Sequence, residues 1–143
     1  IGQVPIVVKR EIEGFILNRL QGALLAEAFR LVEDGSVSAE DLATTIAHGL
    51  GLRWSFMGPF ETIDLNAPGG IGDYCERYTG FYKRLAASPA PPSVYDKAAT
   101  DKIVAAWTDG VAPGAEHAAK TRWRDDRLAA LAAFKRREKA FKG

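Results

Sequence analysis

From Glu11 to Asp34 apolar residues return every three or four positions, at Ile12, Ile16, Leu20, Leu24, Ala28 and Leu31. That spacing is the helical one, and Phe15, Leu17, Ala23, Leu25 and Val32 widen the apolar face over most of the circumference. A helix of this kind has to be covered on nearly all sides, so it is expected to be buried at the centre of the fold. Gly35 is well placed to cap its C-terminus.

The remaining segments arrange themselves as shorter helices. Val4 to Val8 form a short extended lead-in. Ser38, followed by Glu40 and Asp41, reads as the N-cap of a helix that carries Leu42, Ile46 and Leu50 and stops at Gly49 or Gly51. Residues 51–59 have no clean period and read as a bulky, apolar, glycine-bounded loop. Pro59 suits the first turn of a short helix, Phe60 to Leu65. After a break at Gly69, Gly70 and Gly72 comes a helix with Tyr74, Tyr78, Phe81, Tyr82 and Leu85.

Residues 88–93 are proline-rich and form a stiff connector. Ile103, Val104 and Trp107 mark a further helix that ends around Gly110 and Pro113. The last helix, Ala115 to Lys142, carries Trp123, Leu128, Leu131 and Phe134 and ends on the basic run Lys135-Arg136-Arg137. The predicted fold is therefore all-α, with about six helices and no strand beyond the lead-in. Residues 1–143 are expected to form a single helical domain.

Composition narrows the function classes. At 143 residues and 47% hydrophobic the chain can build its own core without a metal or disulfide staple. Nineteen basic against 18 acidic residues give a net charge of +1, which argues against nucleic acid or an anionic membrane as the main partner. One cysteine, Cys75, excludes an internal disulfide framework and a multi-cysteine zinc site. No apolar run approaches the roughly 18 residues of a membrane span, and the start lacks the regions of a signal peptide. A cytoplasmic protein is expected. The chain opens without methionine and inside an extended apolar run, which is expected of a piece of a longer polypeptide.

Most polar features have an ordinary structural explanation. Gly69-Gly70-Ile71-Gly72 lacks the spacing and the strand–turn–helix setting of a phosphate loop. His48 and His117 stand alone, without metal-ligand spacing. Cys75 has no nucleophile motif around it, and Asp125-Asp126 with Arg122, Arg124 and Arg127 reads as a solvated face of ion pairs.

Two places carry chemistry. Asn18 sits in the most apolar helix, where an amide needs partners; it either satisfies a neighbouring carbonyl or donates to a substrate oxygen. Arg53 and Trp54 are a cation beside a large aromatic: either Arg53 packs on Trp54, or its guanidinium clamps a carboxylate.

Gly14-Phe15-Ile16-Leu17-Asn18-Arg19-Leu20, then Glu27 to Gly35, and then Met57-Gly58-Pro59-Phe60-Glu61, resemble the C-terminal helical domain of the 3-hydroxyacyl-CoA dehydrogenase superfamily. The stretch Gly49 to Phe56, with its Leu-Arg-Trp, is similar to the λ-crystallin/L-gulonate 3-dehydrogenase branch and to carnitine dehydrogenases. So are residues 65–78 and Arg122-Trp123-Arg124-Asp125; together the likeness runs from about residue 3 to residue 130.

The resemblance implies a fold of the 6-phosphogluconate/3-hydroxyacyl-CoA dehydrogenase C-terminal type. It implies NAD as cofactor, bound mainly by an N-terminal Rossmann domain that also carries a catalytic His–Glu pair and is absent from this chain. The implied substrate is a 3-hydroxyacyl-CoA or a short 3-hydroxy acid such as L-gulonate, and the implied assembly is a homodimer. Asn18 falls on the family's active-site asparagine, which helps place the substrate. Arg53, with Trp54, becomes a candidate for the substrate carboxylate. This chain alone is then expected to be inactive. A free-standing helical scaffold without catalysis is the alternative.

Overall fold

The computed structural model describes residues 4–107, 110 and 114–138. Among them the regular structure is entirely helical. The elements are α1 (Phe15–Glu33), α2 (Ala39–Thr45), a π-helical turn (Ile46–Leu50), α3 (Gly51–Trp54), α4 (Pro59–Leu65), α5 (Gly70–Ala86), a 3₁₀ turn (Pro92–Tyr95), α6 (Lys97–Ala106) and α7 (Ala115–Arg137). Because α2, the π turn and α3 follow without a break, the described residues make six continuous helical rods, in accord with the all-α expectation. Residues 4–8 belong to no helix or strand. Of the last predicted helix, residues 139–142 lie outside the described residues, as does Pro113.

The chain divides into two compact units, Ile1–Leu42 with Gly80–Ala106, and Ala43–Thr79 with Trp107–Gly143. In the first, α1 packs against the 3₁₀ turn and α6. Val94 of the 3₁₀ turn is fully buried. Its neighbour Tyr95 donates from Oη to the carbonyl of Gly22 in mid-α1 at 3.0 Å, while its ring tilts against Phe29 with centroids 5.7 Å apart. The small residues Ala28 on α1 and Ala99 on α6 are both buried, as close helix packing requires. Lys102 of α6 pairs with Glu33 of α1 at 2.9 Å.

Both ends of the α1–α2 link follow their sequence signals. Gly35, at φ 77°, donates to the Val32 carbonyl at 3.2 Å and Ser36 donates to the Leu31 carbonyl at 3.0 Å, the paired bonds of a Schellman ending. Ser38 Oγ accepts the Asp41 N–H at 3.0 Å as the N-cap of α2.

The second unit departs from expectation at its start. The helix opened by Ser38 does not stop at Gly49 or Gly51; it continues to Trp54, so the predicted loop begins as helix. A π turn carries the chain across the glycines, and Gly51 donates its N–H to the Ile46 carbonyl, five residues back. A Cβ on Gly51 would lie 3.0 Å from that carbonyl oxygen, so the close approach depends on glycine. Pro59 then opens α4 as expected, and buried Thr62 donates from Oγ1 to the Gly58 carbonyl at 2.9 Å. Phe56 meets Phe134 of α7 edge-on, with centroids 6.1 Å apart.

A second departure concerns α1. Only Ala28 of this helix is buried, and Leu17 and Leu20 remain 73% and 63% exposed. The 3₁₀ turn and α6 cover one side of α1, which leaves much of its wide apolar face, read as buried from the sequence, open.

Candidate functional site

Asn18 lies in the first turn of α1, directly after an unusual entry. Gly14 has φ 75° and Phe15 φ 49°, both left-handed, and Phe15 donates its N–H to the Ile12 carbonyl at 3.0 Å. A bulky side chain in that region of backbone space is strained by about 1–2 kcal/mol. The Asn18 side chain is exposed, and no described residue hydrogen-bonds its amide. Its donor and acceptor are therefore open to a ligand.

Arg53 and Trp54 belong to α3, in the last turn of the rod that contains the π turn. The Arg53 carbonyl closes that rod by accepting the N–H of Phe56 at 3.1 Å and of Met57 at 3.2 Å. Its side chain is exposed and makes no ion pair or ring contact among the described residues, so it is not seated on Trp54. The structure places Asn18 in the first unit and Arg53 with Trp54 in the second.

The glycine-rich turn has a different employment. Asp64, near the end of α4, accepts the Ile71 N–H at 2.7 Å, and Asp73, in the first turn of α5, accepts the Gly69 N–H at 3.0 Å. Arg77 pairs with Asp73 at 2.5 Å. This guanidinium, with the Gly69 N–H behind it, holds the Asp73 carboxyl below the usual carboxylate range. The two carboxylates occupy amide groups that a bound phosphate would need, and their charge repels one.

The other titratable groups are occupied or isolated. Arg30 pairs with Glu27 and lies 3.6 Å from Asp34; the bond from Arg30 pulls the Glu27 carboxyl down. His48, His117 and Cys75 are exposed, and the described residues hold no group of His, Cys, Asp or Glu suited to a metal. No helix among the described residues is long and apolar enough to cross a membrane.

Sequence reasoning missed two features of this region. The π turn before Arg53 had a signal in Gly49 and Gly51, which looked like a stop. The left-handed Phe15 had none of its own beyond the preceding glycine.

Comparison with known proteins covers both candidate segments. The family model described as 3-hydroxyacyl-CoA dehydrogenase, C-terminal domain, matches residues 14–106. Lambda-crystallin of Oryctolagus cuniculus is 45% identical over 137 residues, 95% of this chain and 43% of that protein. A 3-hydroxyacyl-CoA dehydrogenase of Gibberella moniliformis is 43% identical over 77 residues, 54% of this chain and 24% of that protein. An L-carnitine dehydrogenase of Oceanobacillus iheyensis is 48% identical over 68 residues, 48% of this chain and 22% of that protein. The chain thus spans less than half the length of these relatives.

Proposed function

The chain belongs to the family of 3-hydroxyacyl-CoA dehydrogenase C-terminal domains, and on that footing we propose that it is the substrate-side domain of an NAD-dependent dehydrogenase. The reaction is oxidation of the 3-hydroxyl of a short 3-hydroxy acid, L-gulonate-like, with a 3-hydroxyacyl-CoA as the other member of the same class. NAD and the general base are assigned to a part of the enzyme outside this chain, in line with the family resemblance and with the chain spanning 43% of lambda-crystallin.

The observation that carries the reading is the open amide of Asn18 at the start of a matched helix. As the substrate carbon gives up hydride its hydroxyl becomes a carbonyl, and charge builds on oxygen on the way. An amide N–H held at that oxygen stabilises the charge, an effect worth roughly 2.7–4 kcal/mol when a single donor is removed. Arg53, in the other unit, is a separate candidate for the acid group. Its guanidinium, free of any carboxylate among the described residues, offers a bidentate fork to the acid group of the substrate. Trp54, alongside, provides an apolar wall for the carbon chain.

The exposed apolar face of α1 supports a covered helix in the working assembly, with a second copy of the chain as one cover. The test is NADH formation by the enzyme that carries this chain, with L-gulonate, L-carnitine and 3-hydroxybutyryl-CoA as probes. Turnover of one of them, reduced about 100-fold or more in kcat by Asn18→Ala, is the expected result. No turnover of any probe, or an unimpaired Asn18→Ala enzyme, overturns the reading.

A further inference from the structure

We propose that the cleft between α1 and the end of α5 binds a small monocarboxylate with an apolar body, held by Arg84. The inference does not depend on the role given to Asn18; Glu27, on the α1 wall, lies about 14 Å along that helix from it.

All the walls belong to the first unit. Glu27 and Arg30 come from α1, Arg84 and Leu85 from the last turn of α5, and Ser88 and Pro89 from the connector that follows. They line a space of about 310 Å³, at the small end of the range for small-molecule sites. The connector wall is held at both ends. Ser88 donates its N–H to the Leu85 carbonyl at 3.1 Å, and Pro89 stiffens the exit from α5. The 3₁₀ turn that follows is tied to α1 by the Tyr95 hydroxyl on the Gly22 carbonyl.

The two guanidiniums of the cleft differ in what they hold. Arg30 donates from Nε to Glu27 at 2.9 Å, pairs through Nη2 with the other Glu27 oxygen and faces Asp34 at 3.6 Å. Arg30 and Glu27 thus neutralise each other. Arg84 pairs with no carboxylate among the described residues. Its Nη1 donates to the Gly80 carbonyl at 3.1 Å, and its Cζ stands 5.9 Å from the centroid of the Phe81 ring. Both contacts are made within α5, and they steady the planar group while leaving most of its five N–H donors open. The Ser88 hydroxyl, in the same cleft, bonds no described residue either.

An open guanidinium fork beside a free hydroxyl can meet a carboxylate with two parallel N–H bonds and one from oxygen. A phosphate fits less well, because its charge of roughly −1.5 to −2 would meet one open cation with the Glu27 carboxylate close by. An ion pair this exposed to solvent is screened and contributes little alone. The rest must come from carbon. Leu85 is more than half exposed, and Pro89 and the stems of the two arginines extend that apolar surface. The occupant is therefore an acid with a short hydrocarbon chain.

The probe is hexanoate, titrated into the enzyme that carries this chain and followed by backbone amide shifts in NMR, with circular dichroism of each variant alongside. Saturable shifts at Arg84, Leu85 and Ser88 are expected, with a Kd on the order of 1 mM. Arg84→Gln, which keeps the stem and removes the charge, should weaken binding about tenfold or more, and Arg84→Lys should recover part of it. Hexan-1-ol, equal in length and uncharged, should bind about tenfold more weakly than hexanoate, and so should acetate, which has the charge without the chain. Unchanged binding in folded Arg84→Gln, equal binding of hexan-1-ol, or saturation that moves none of these amides overturns the inference. Inorganic phosphate binding more tightly than hexanoate at the same amides overturns it as well, because the ligand class is then wrong.

Discussion

Asp64 and Ile71 are joined across the α4–α5 turn, the carboxylate Oδ1 of one accepting the backbone N–H of the other at 2.7 Å. Between them Gly70 adopts φ +74°, and a Cβ there would fall 2.8 Å from the same carboxylate oxygen. The turn is glycine because the carboxylate occupies the space of a side chain. Gly70→Ala therefore combines a left-handed penalty with a broken hydrogen bond, together about 2–3 kcal/mol. Thermal unfolding should show a Tm lower by about 5–10 °C, and Asp64→Asn, which keeps an acceptor, should lower it less.

Gly22 is the opposite case. It lies inside α1 with open space where a Cβ would go, and its carbonyl, not its Cα, receives the Tyr95 hydroxyl. Gly22→Ala should stabilise the chain by up to about 1 kcal/mol through helix propensity. The Tm should rise by about 2–4 °C in a melt followed by circular dichroism.

The Asp73 carboxyl is held below its usual value first by Arg77 and then by the Gly69 N–H. A carboxyl depressed by folding stabilises the folded state at pH values above its unfolded pKa, and that contribution disappears as pH falls through the folded value. Titration followed by NMR should find Asp73 ionising below an ordinary aspartate. In Arg77→Ala its pKa should move up toward the ordinary value, and the Asp73 share of the acid loss of stability should shrink. An unchanged Asp73 titration in that variant would show that Arg77 is not the cause.

Arg53 distinguishes the two substrate classes. If it clamps a free carboxylate, Arg53→Ala raises KM for L-gulonate by about tenfold or more, with kcat little changed. The same variant leaves KM for 3-hydroxybutyryl-CoA within about twofold, since the thioester carries no carboxylate there. Arg53→Lys should recover part of the loss, a lysine being a point charge where arginine is a fork.

Most of the helices could be read from the chain because their boundaries are chemical. Ser38, Pro59 and Gly35 each end or begin a helix where local hydrogen bonding demands it, and the structure uses all three. The rod through Gly49 and Gly51 could not, because a glycine that stops a helix and a glycine that admits a π turn look alike in one sequence. The exposure of Leu17 and Leu20 was also hidden. Apolar periodicity tells which residues need cover and says nothing of which polypeptide supplies it. Asn18 was legible as an oddity, an amide in a greasy helix, whereas the left-handed Phe15 at the start of that helix depends on backbone angles that no side-chain pattern encodes.

The π turn at Ile46–Leu50 has a geometric consequence for Arg53 and Trp54. Each residue of a helix advances the direction of its side chain by about 100°. A turn holding one residue more than its neighbours acts as a phase shift, after which the rod presents a different azimuth. Deleting a single codon within that turn would restore the regular pitch and swing both side chains about a quarter of the way round the axis, with the rod itself intact. Insertions and deletions here change the aim of the site in discrete angular steps, which point substitutions cannot do.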